Sequence, residues 1–182
     1  MPRLIPLLSL LPALALASCL SAGPKTPASL VRPITMDRDA GLRAVNAFRA
    51  ENGLKPLSVN AQLDLAASRQ SEAMARADRM DHQVAGALPG RAERAGYHWG
   101  TVAENIGRGY ADYGAAMKGW IGSPGHRRNL LNPNVTEIGF AGARIGEDGT
   151  RYWTQILATP SKRTVASASE KPLRWGPELR FP

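Results

Sequence analysis

Cysteine is almost absent from this sequence: Cys19 is the only one among 182 residues. A single thiol excludes a disulfide framework, and it also excludes a cysteine-based zinc site of the finger or ribbon type. We therefore expect a domain that folds without disulfides. The position of Cys19, directly after an apolar N-terminal stretch, makes it the first informative residue.

Lysine is scarce as well. Only five of the 23 basic residues are Lys, so Arg accounts for eighteen, and the formal net charge is +8. The Arg residues are scattered among acidic ones, and no basic stripe with interleaved aromatic residues is present, so we do not expect nucleic-acid binding. An Arg-rich, Ala-rich composition is typical of a GC-rich genome, which accounts for the pI of about 10.2. The alternative is attraction to an anionic lipid or polymer.

The first eighteen residues predict a secretory signal. Arg3 precedes an apolar run over 4–17 that is too short, and too often interrupted by Pro, to span a bilayer permanently. Residues 16–19, Leu-Ala-Ser-Cys, resemble a bacterial lipobox, in which the cysteine is acylated and becomes the new N-terminus. Alternatively, Ala-Leu-Ala at 15–17 has the form of an ordinary signal-peptidase site. We favour acylation of Cys19, because a lone cysteine at that position has no other evident role.

Acylation of Cys19 predicts a protein held at the cell envelope, facing the periplasm or the exterior. Several acyl chains anchor a protein stably, since each buried methylene contributes about 0.8 kcal/mol. Ordinary cleavage would instead release a secreted protein. Residues 20–36, rich in Pro, Ser and Ala, predict a flexible tether, and 159–182, with four prolines, an extended tail. One domain remains, over 37–158.

Helical patterns precede a hairpin pattern along this domain. Apolar residues at helical spacing predict helices at 38–52, 61–77, 91–95, 113–121 and 126–131. Asn60 is placed to cap the second helix, and Gly53 ends the first. Strand character predicts strands at 101–107, 138–145 and 151–157, the last two joined by a glycine-containing turn. This order predicts an α+β fold, an antiparallel sheet covered by helices.

Two of the three histidines have suggestive neighbours. His82 follows Met80-Asp81, and His126 lies in the run Ser123-Pro124-Gly125-His126-Arg127. Between them Glu104 begins a Glu-Asn-Ile run at 104–106. A lone His is more often a surface or core residue than a ligand, so the spacing by itself predicts little.

The order of these motifs is more informative than any one of them. The chain contains, in sequence, Asn46-x-x-Arg49, Asn60-x-x-Leu63, His82, Arg91, Ala95-Gly96-Tyr97, Glu104-Asn105-Ile106, Trp120-x-x-Ser123-x-Gly125-His126-Arg127-x-Asn129-Leu130-Leu131, Ile138-Gly139 and Tyr152-Trp153-x-Gln155. Together they resemble the CAP superfamily, the cysteine-rich secretory, antigen 5 and pathogenesis-related proteins, in its bacterial, disulfide-free form with an SCP-like extracellular domain. The resemblance covers about 40–157, essentially the whole predicted domain.

The resemblance implies an α-β-α sandwich with an open cleft where His82, Glu104 and His126 converge. In eukaryotic members a second Glu follows the Trp by three residues, and this chain has Ser123 there. Glu137, just before Ile138-Gly139, is a candidate replacement for that acid, although a residue that simply opens the strand is the simpler interpretation. The chain thus departs from the family pattern at one of the acids.

Two imidazoles and a carboxylate suit a divalent transition metal such as Zn²⁺, with positions left open to water. The same groups could act as a general base and its orienting partner. No nucleophile is evident, because Cys19 is assigned to lipid, Ser123 is placed to cap a helix, and a Ser123–His126 pair lacks a third member and an oxyanion hole.

From these observations we expect a non-enzymatic, envelope-anchored module that binds a lipid or cell-envelope ligand, with a metal at His82, Glu104 and His126. The alternative is a metal-assisted hydrolase, with the same three residues as catalytic groups, that acts on envelope peptides or polymers.

Overall fold

The structure, a computed structural model, describes residues 30–162 of the chain. The predicted signal, Cys19, residues 20–29 of the predicted tether and the tail from 163 onward lie outside the described residues. The described elements are β1 (Val31–Pro33), α1 (Arg38–Glu51), β2 (Ser58–Val59), α2 (Ala61–Ala77), α3 (Leu88–Arg94), β3 (Trp99–Arg108), α4 (Tyr113–Gly122), α5 (Pro124–Leu130), β4 (Glu137–Ile145) and β5 (Arg151–Pro160). Between 30 and 162, no helix has the length and apolar character needed to cross a membrane.

One mixed sheet organises the domain. Its strand order is β1-β4-β5-β3 with antiparallel pairing throughout, and the two-residue β2 adds to β4 in parallel. The predicted hairpin is confirmed: β4 and β5 pair from Glu137 opposite Ala158 to Arg144 opposite Arg151. β3 therefore forms one edge of the sheet, and β1 and β2, which pair only with β4, lie along the other.

Helices cover both faces of this sheet, as an α-β-α sandwich requires. On one face, α1, α4 and α5 enclose a core that includes Phe48, Trp120 and Trp153. On the other face, α2 and α3 pack over Leu63, Ala92 and neighbouring small residues. The predicted fold class is confirmed.

Local signals place the two long helices. Asn60 Oδ1 accepts hydrogen bonds from the backbone N–H groups of Gln62 and Leu63, at 2.9 and 3.2 Å, which confirms the predicted cap of α2. Gly139 in β4 permits close contact with this helix, because a Cβ there would lie only 2.2 Å from the backbone carbon of Leu63. The absence of a side chain at Gly139 thus lets α2 lie directly on the sheet.

The domain extends further at both ends than the sequence pattern indicates. The composition predicts a tether over all of 20–36, but β1 lies within that range and pairs with 143–145 of β4. A three-residue strand containing Pro33, with a partner more than a hundred residues away, leaves no local pattern, and proline is tolerated there because β1 lies at the sheet edge. Likewise β5 continues to Pro160, two residues into the expected tail. The helix expected at 91–95 begins earlier, at Leu88.

Candidate functional site

The candidate site lies at β3, where a buried carboxylate meets a histidine from the loop after α2. Glu104 Oε1 lies 2.8 Å from His82 Nδ1. The two side chains differ sharply in exposure, 2% for Glu104 and 52% for His82. The carboxylate is therefore a fixed internal partner, and the imidazole is the part of this pair that solvent or a ligand can reach.

Arg91 of α3 holds the other side of the carboxylate. Its Nη1 lies 2.7 Å from Glu104 Oε2, and both side chains are almost fully buried. The N–H of that nitrogen is not well aligned with the oxygen, so the contact is an ion pair rather than a directed hydrogen bond. The same guanidinium donates to the carbonyls of Gly86, at 2.9 Å, and His82, at 3.2 Å. One side chain thus fixes both the acid and the loop that carries His82.

A buried amide network supports the second histidine. Asn105 Nδ2 donates to the His126 carbonyl at 3.3 Å and to Gln155 Oε1 at 3.0 Å. Asn129 Nδ2 donates to Asn105 Oδ1 at 2.9 Å and to the Glu104 carbonyl at 3.0 Å. The network therefore joins α5, which carries His126, to the strand that carries Glu104.

The network continues into the core on the α1 side of the sheet. Gln155 Nε2 donates to the Tyr113 hydroxyl at 2.6 Å. Burial raises the pKa of Tyr113 well above its usual range, so this phenol stays protonated at physiological pH. These amides were not identified as functional residues from the sequence, although Asn105, Asn129 and Gln155 all belong to the motifs quoted above.

The two imidazoles are tuned in opposite directions. The hydrogen bond that His82 donates to Glu104 raises the pKa of His82, against the opposing effect of partial burial. Burial lowers the pKa of His126, and the nearby charge of His82 lowers it further. Between the two pKa values, His82 carries a proton while His126 is neutral.

The predicted site residues are only partly brought together. His82 and Glu104 are in direct contact, and His126 is close enough for the His82 charge to affect its pKa. Among residues 30–162, no group of three or more His, Cys, Asp or Glu side chains is arranged to hold a metal ion. Metal binding by His82, Glu104 and His126 therefore stays a prediction.

Glu137 and Ser123, the two residues considered for the position of the second acid, have contacts of their own. Glu137 accepts from the Tyr97 hydroxyl at 2.5 Å and from Asn60 Nδ2 at 3.3 Å, which matches a residue that opens β4. Its described hydrogen-bond partners do not include His82 or His126. Ser123 occupies the N-cap position of α5, as expected, but its side chain makes no capping hydrogen bond.

Comparison with known proteins adds a family and a set of relatives. Residues 42–157 match the model of the cysteine-rich secretory protein family, CAP. An uncharacterized Bacillus subtilis protein, YkwD, is 36% identical over 112 residues, which are 60% of this chain and 42% of the relative. The chain thus spans less than half the length of this curated relative.

Solved structures give the same picture. An extracellular Bacillus anthracis protein containing an SCP domain is 27% identical with a TM-score of 0.57, over 70% of this chain and 44% of that one. An outer surface protein of Borrelia burgdorferi has a TM-score of 0.63 at 17% identity, over 71% of this chain and 98% of that one. At that identity the second likeness shows the fold alone.

Proposed function

The chain belongs to the cysteine-rich secretory protein (CAP) family, as an extracellular domain of the bacterial type, and on this premise we propose that it is a binding module for a lipid or another cell-envelope ligand. The observation that carries the proposal is the burial of Glu104 and its enclosure by two partners. Its carboxylate is 2% exposed and lies between His82 and Arg91. This acid is therefore a structural and orienting group.

A hydrolase that uses Glu104 as its general base would need this carboxylate to reach water or substrate. A general base must lie within hydrogen-bond reach of the proton that it removes. In Glu104 one oxygen faces His82 Nδ1 and the other faces the Arg91 guanidinium. The carboxylate instead selects the tautomer of His82 with a proton on Nδ1, which leaves the Nε2 lone pair for a ligand.

For the cleft we propose a divalent metal in a two-imidazole arrangement. His82 and His126 would hold the ion through ring nitrogens, and Glu104 would orient His82, as carboxylates commonly do for metal-bound histidines. An ion such as Zn²⁺ held this way keeps positions open and would supply a Lewis-acidic contact for an anionic group of the ligand. Arg91 and the Asn105 network would keep the two imidazoles in place.

Calorimetric titration with Zn²⁺ tests the metal. We expect binding to weaken by about tenfold or more in His82→Ala and in His126→Ala, and to change little in the control His98→Ala. Affinity should fall as the pH is lowered from about 8 to about 5.5, because a protonated imidazole does not ligate. The raised pKa of His82 makes this loss begin above pH 6.5. Equal affinity in wild type and the His82→Ala/His126→Ala double variant would leave the binding module without a metal.

One observation favours a second function, a metal-assisted hydrolase of envelope peptides or polymers. The pKa of His126 is lowered by burial, so this imidazole is neutral near pH 7, as a general base requires. Purified protein incubated with envelope extracts, with and without added Zn²⁺, distinguishes the two functions. Product release that depends on Zn²⁺ and disappears in His126→Ala would establish hydrolysis, and bound material recovered unchanged would support the binding module.

For the location we propose an anchor at an acylated Cys19, with the secreted form as the alternative. The support is the lipobox-like sequence at 16–19. Cys19→Ala should move the protein from the membrane fraction to the soluble fraction, or leave it unprocessed. Membrane fractionation of Cys19→Ala at the wild-type mass would contradict lipidation.

A further inference from the structure

The outer edge of β3 has no strand beside it in the described part of the chain, since the sheet order ends there. Two side chains from the helices reach this edge. Asn129 Nδ2 donates to the Glu104 carbonyl at 3.0 Å, and Trp120 Nε1 donates to the Ile106 carbonyl at 2.9 Å. In an antiparallel strand, the backbone groups of successive residues point alternately toward and away from a given neighbour. The even-numbered residues over 102–106 therefore direct their N–H and C=O groups away from β5.

The free part of this edge is short. From the Glu104 carbonyl onward, the helix side chains occupy it. Toward the start of β3, the pairing register with β5 shifts between Trp99 and Thr101, which marks a bulge. A bulge interrupts the hydrogen-bond ladder and bends the strand. The residue that remains between the bulge and the helix side chains is Val102.

Val102 presents an unpaired N–H and an unpaired C=O on this side of the strand. Among residues 30–162, neither group has a hydrogen-bond partner there. Residues 101–103 are partly exposed, so solvent reaches the strand at this point. Backbone N–H and C=O groups need partners, and those of one outward-facing residue are spaced to exchange two hydrogen bonds with a residue of another extended chain. Val102 therefore offers half of a strand pair.

This position lies directly beside the cleft. Glu104 follows Val102 by two residues, so the two side chains point to the same face and lie about 7 Å apart along the strand. Glu104 in turn contacts His82 at 2.8 Å. An extended chain paired with Val102 therefore runs to the histidine. Beyond that point Asn129 occupies the edge, so the added chain must leave it beside His82.

The side chains around Val102 add a preference for an apolar partner. Val102 and Leu88 of α3 are both partly exposed, and both pack against the core cluster that contains Ala92. Directly opposed residues in antiparallel strands point to the same face, with Cβ atoms about 4.5–5.5 Å apart. The residue added opposite Val102 therefore meets apolar surface, which suits a β-branched side chain such as valine.

We propose that the cleft takes its ligand as an extended peptide, which adds to the β3 edge by hydrogen bonds to Val102 and enters the cleft beside His82. This inference rests on the proposed binding function and names the chemical class of the ligand. In strand addition the main-chain hydrogen bonds supply affinity and the side-chain contacts supply specificity. A free edge of this length suits a short peptide better than a second copy of the chain, because a stable dimer buries more than about 1,000 Å².

Calorimetric titration of the full chain with a capped peptide of alternating Thr and Val, five residues long with Val second and fourth, tests the edge. Methylation of both Val nitrogens should weaken binding about tenfold or more, because in either register it removes the N–H that faces Val102. Methylation of the central Thr nitrogen, which faces away, should leave binding unchanged. Equal binding of the two methylated peptides, or no binding of the unmodified one, would overturn the proposal.

Proline substitutions test the same N–H from the protein side. Val102→Pro should fold, because proline is tolerated where an edge N–H faces solvent, and it should weaken peptide binding about tenfold or more. Val102→Ala keeps the N–H and should weaken binding less. Ala103→Pro is the control, since its N–H faces β5, and it should lower the thermal midpoint far more than Val102→Pro. Equal loss of stability in the two proline variants would overturn the assignment of a free N–H.

The edge and the metal are tested separately. Peptide titrations of the wild-type chain are made without metal, and Zn²⁺ titrations without peptide. Peptide binding in a chain that binds no Zn²⁺ would support the edge while the metal fails, and Zn²⁺ binding without peptide binding would overturn the edge alone. Sedimentation of the wild-type chain distinguishes a second copy: a dimer that Val102→Pro dissociates would overturn the peptide as occupant.

Discussion

Arg91 and Arg144 each have a buried guanidinium nitrogen, but the two side chains differ in what surrounds them. Arg91 has a carboxylate, Glu104, and two backbone carbonyls. Arg144 has one carbonyl, a buried nitrogen without a partner, and another arginine directly opposite on each side. The difference teaches that the guanidinium packed against β3 has an internal counter-charge, whereas Arg144 has no carboxylate within ion-pair distance among residues 30–162.

The largest effect on stability is expected from removal of Arg91, the cation that is paired with the buried Glu104 carboxylate. Arg91→Met should lower the free energy of unfolding by about 3–5 kcal/mol, because it leaves the Glu104 carboxylate buried without its cation. Urea unfolding followed by circular dichroism measures this change. The double variant Arg91→Met/Glu104→Gln should recover part of the loss, since no bare charge remains. A loss below about 1 kcal/mol in Arg91→Met would show that water already reaches the carboxylate.

A smaller effect is expected from pH, because His82 is about half exposed and solvent screens its pairing with Glu104. The pKa of His82 is raised in the folded protein. Its stabilising contribution is therefore fully present below about pH 6.5, the unfolded value, and is lost as pH rises through the folded pKa. The difference in unfolding free energy between wild type and His82→Ala should be larger at pH 5.5 than at pH 9. In a Glu104→Gln background this dependence should largely disappear, and its persistence there would assign it to another group.

The smallest effect on stability is expected at Arg144, where a substitution should stabilise the fold and not destabilise it. Arg144→Gln should raise the free energy of unfolding by about 0.5 kcal/mol at low salt, because it relieves repulsion from Arg32 and Arg151. Added salt should shrink the gain by screening. Arg43→Gln, on the exposed surface of α1, is the matched control for the loss of one charge. A destabilised Arg144→Gln would mean that its backbone hydrogen bond outweighs the repulsion.

Local patterns sufficed for much of the fold. Asn60 caps α2 through contacts two and three residues away, and the β4–β5 hairpin follows from alternation around a glycine-containing turn. Such contacts are encoded within a short window. β1 could not be found this way, because three residues that include Pro33 acquire a strand conformation only from a partner at 143–145.

The contacts of the candidate site were predictable to a similar extent. Motif order predicted a site at His82, Glu104 and His126; the structure brings the first two into contact, and their functional role stays a prediction. Motif order did not identify the role of Arg91, because an Arg-rich sequence does not show which guanidinium is buried. Glu137 shows the same limit: its contact with the Tyr97 hydroxyl joins residues forty positions apart.

The placement of β1 has a mechanical consequence. As a three-residue edge strand it is held to β4 by a short ladder, flanked by Ile34 N–H to the Gly142 carbonyl and Gly146 N–H to the Leu30 carbonyl. A pulling force applied at the N-terminal end of the domain therefore loads this ladder before any helix. Detachment of β1 would move Arg32 away from Arg144 and leave the edge of β4 at 143–145 without its strand partner. Tension on the preceding chain would thus be released at this edge of the sheet while the helix-covered core stays intact.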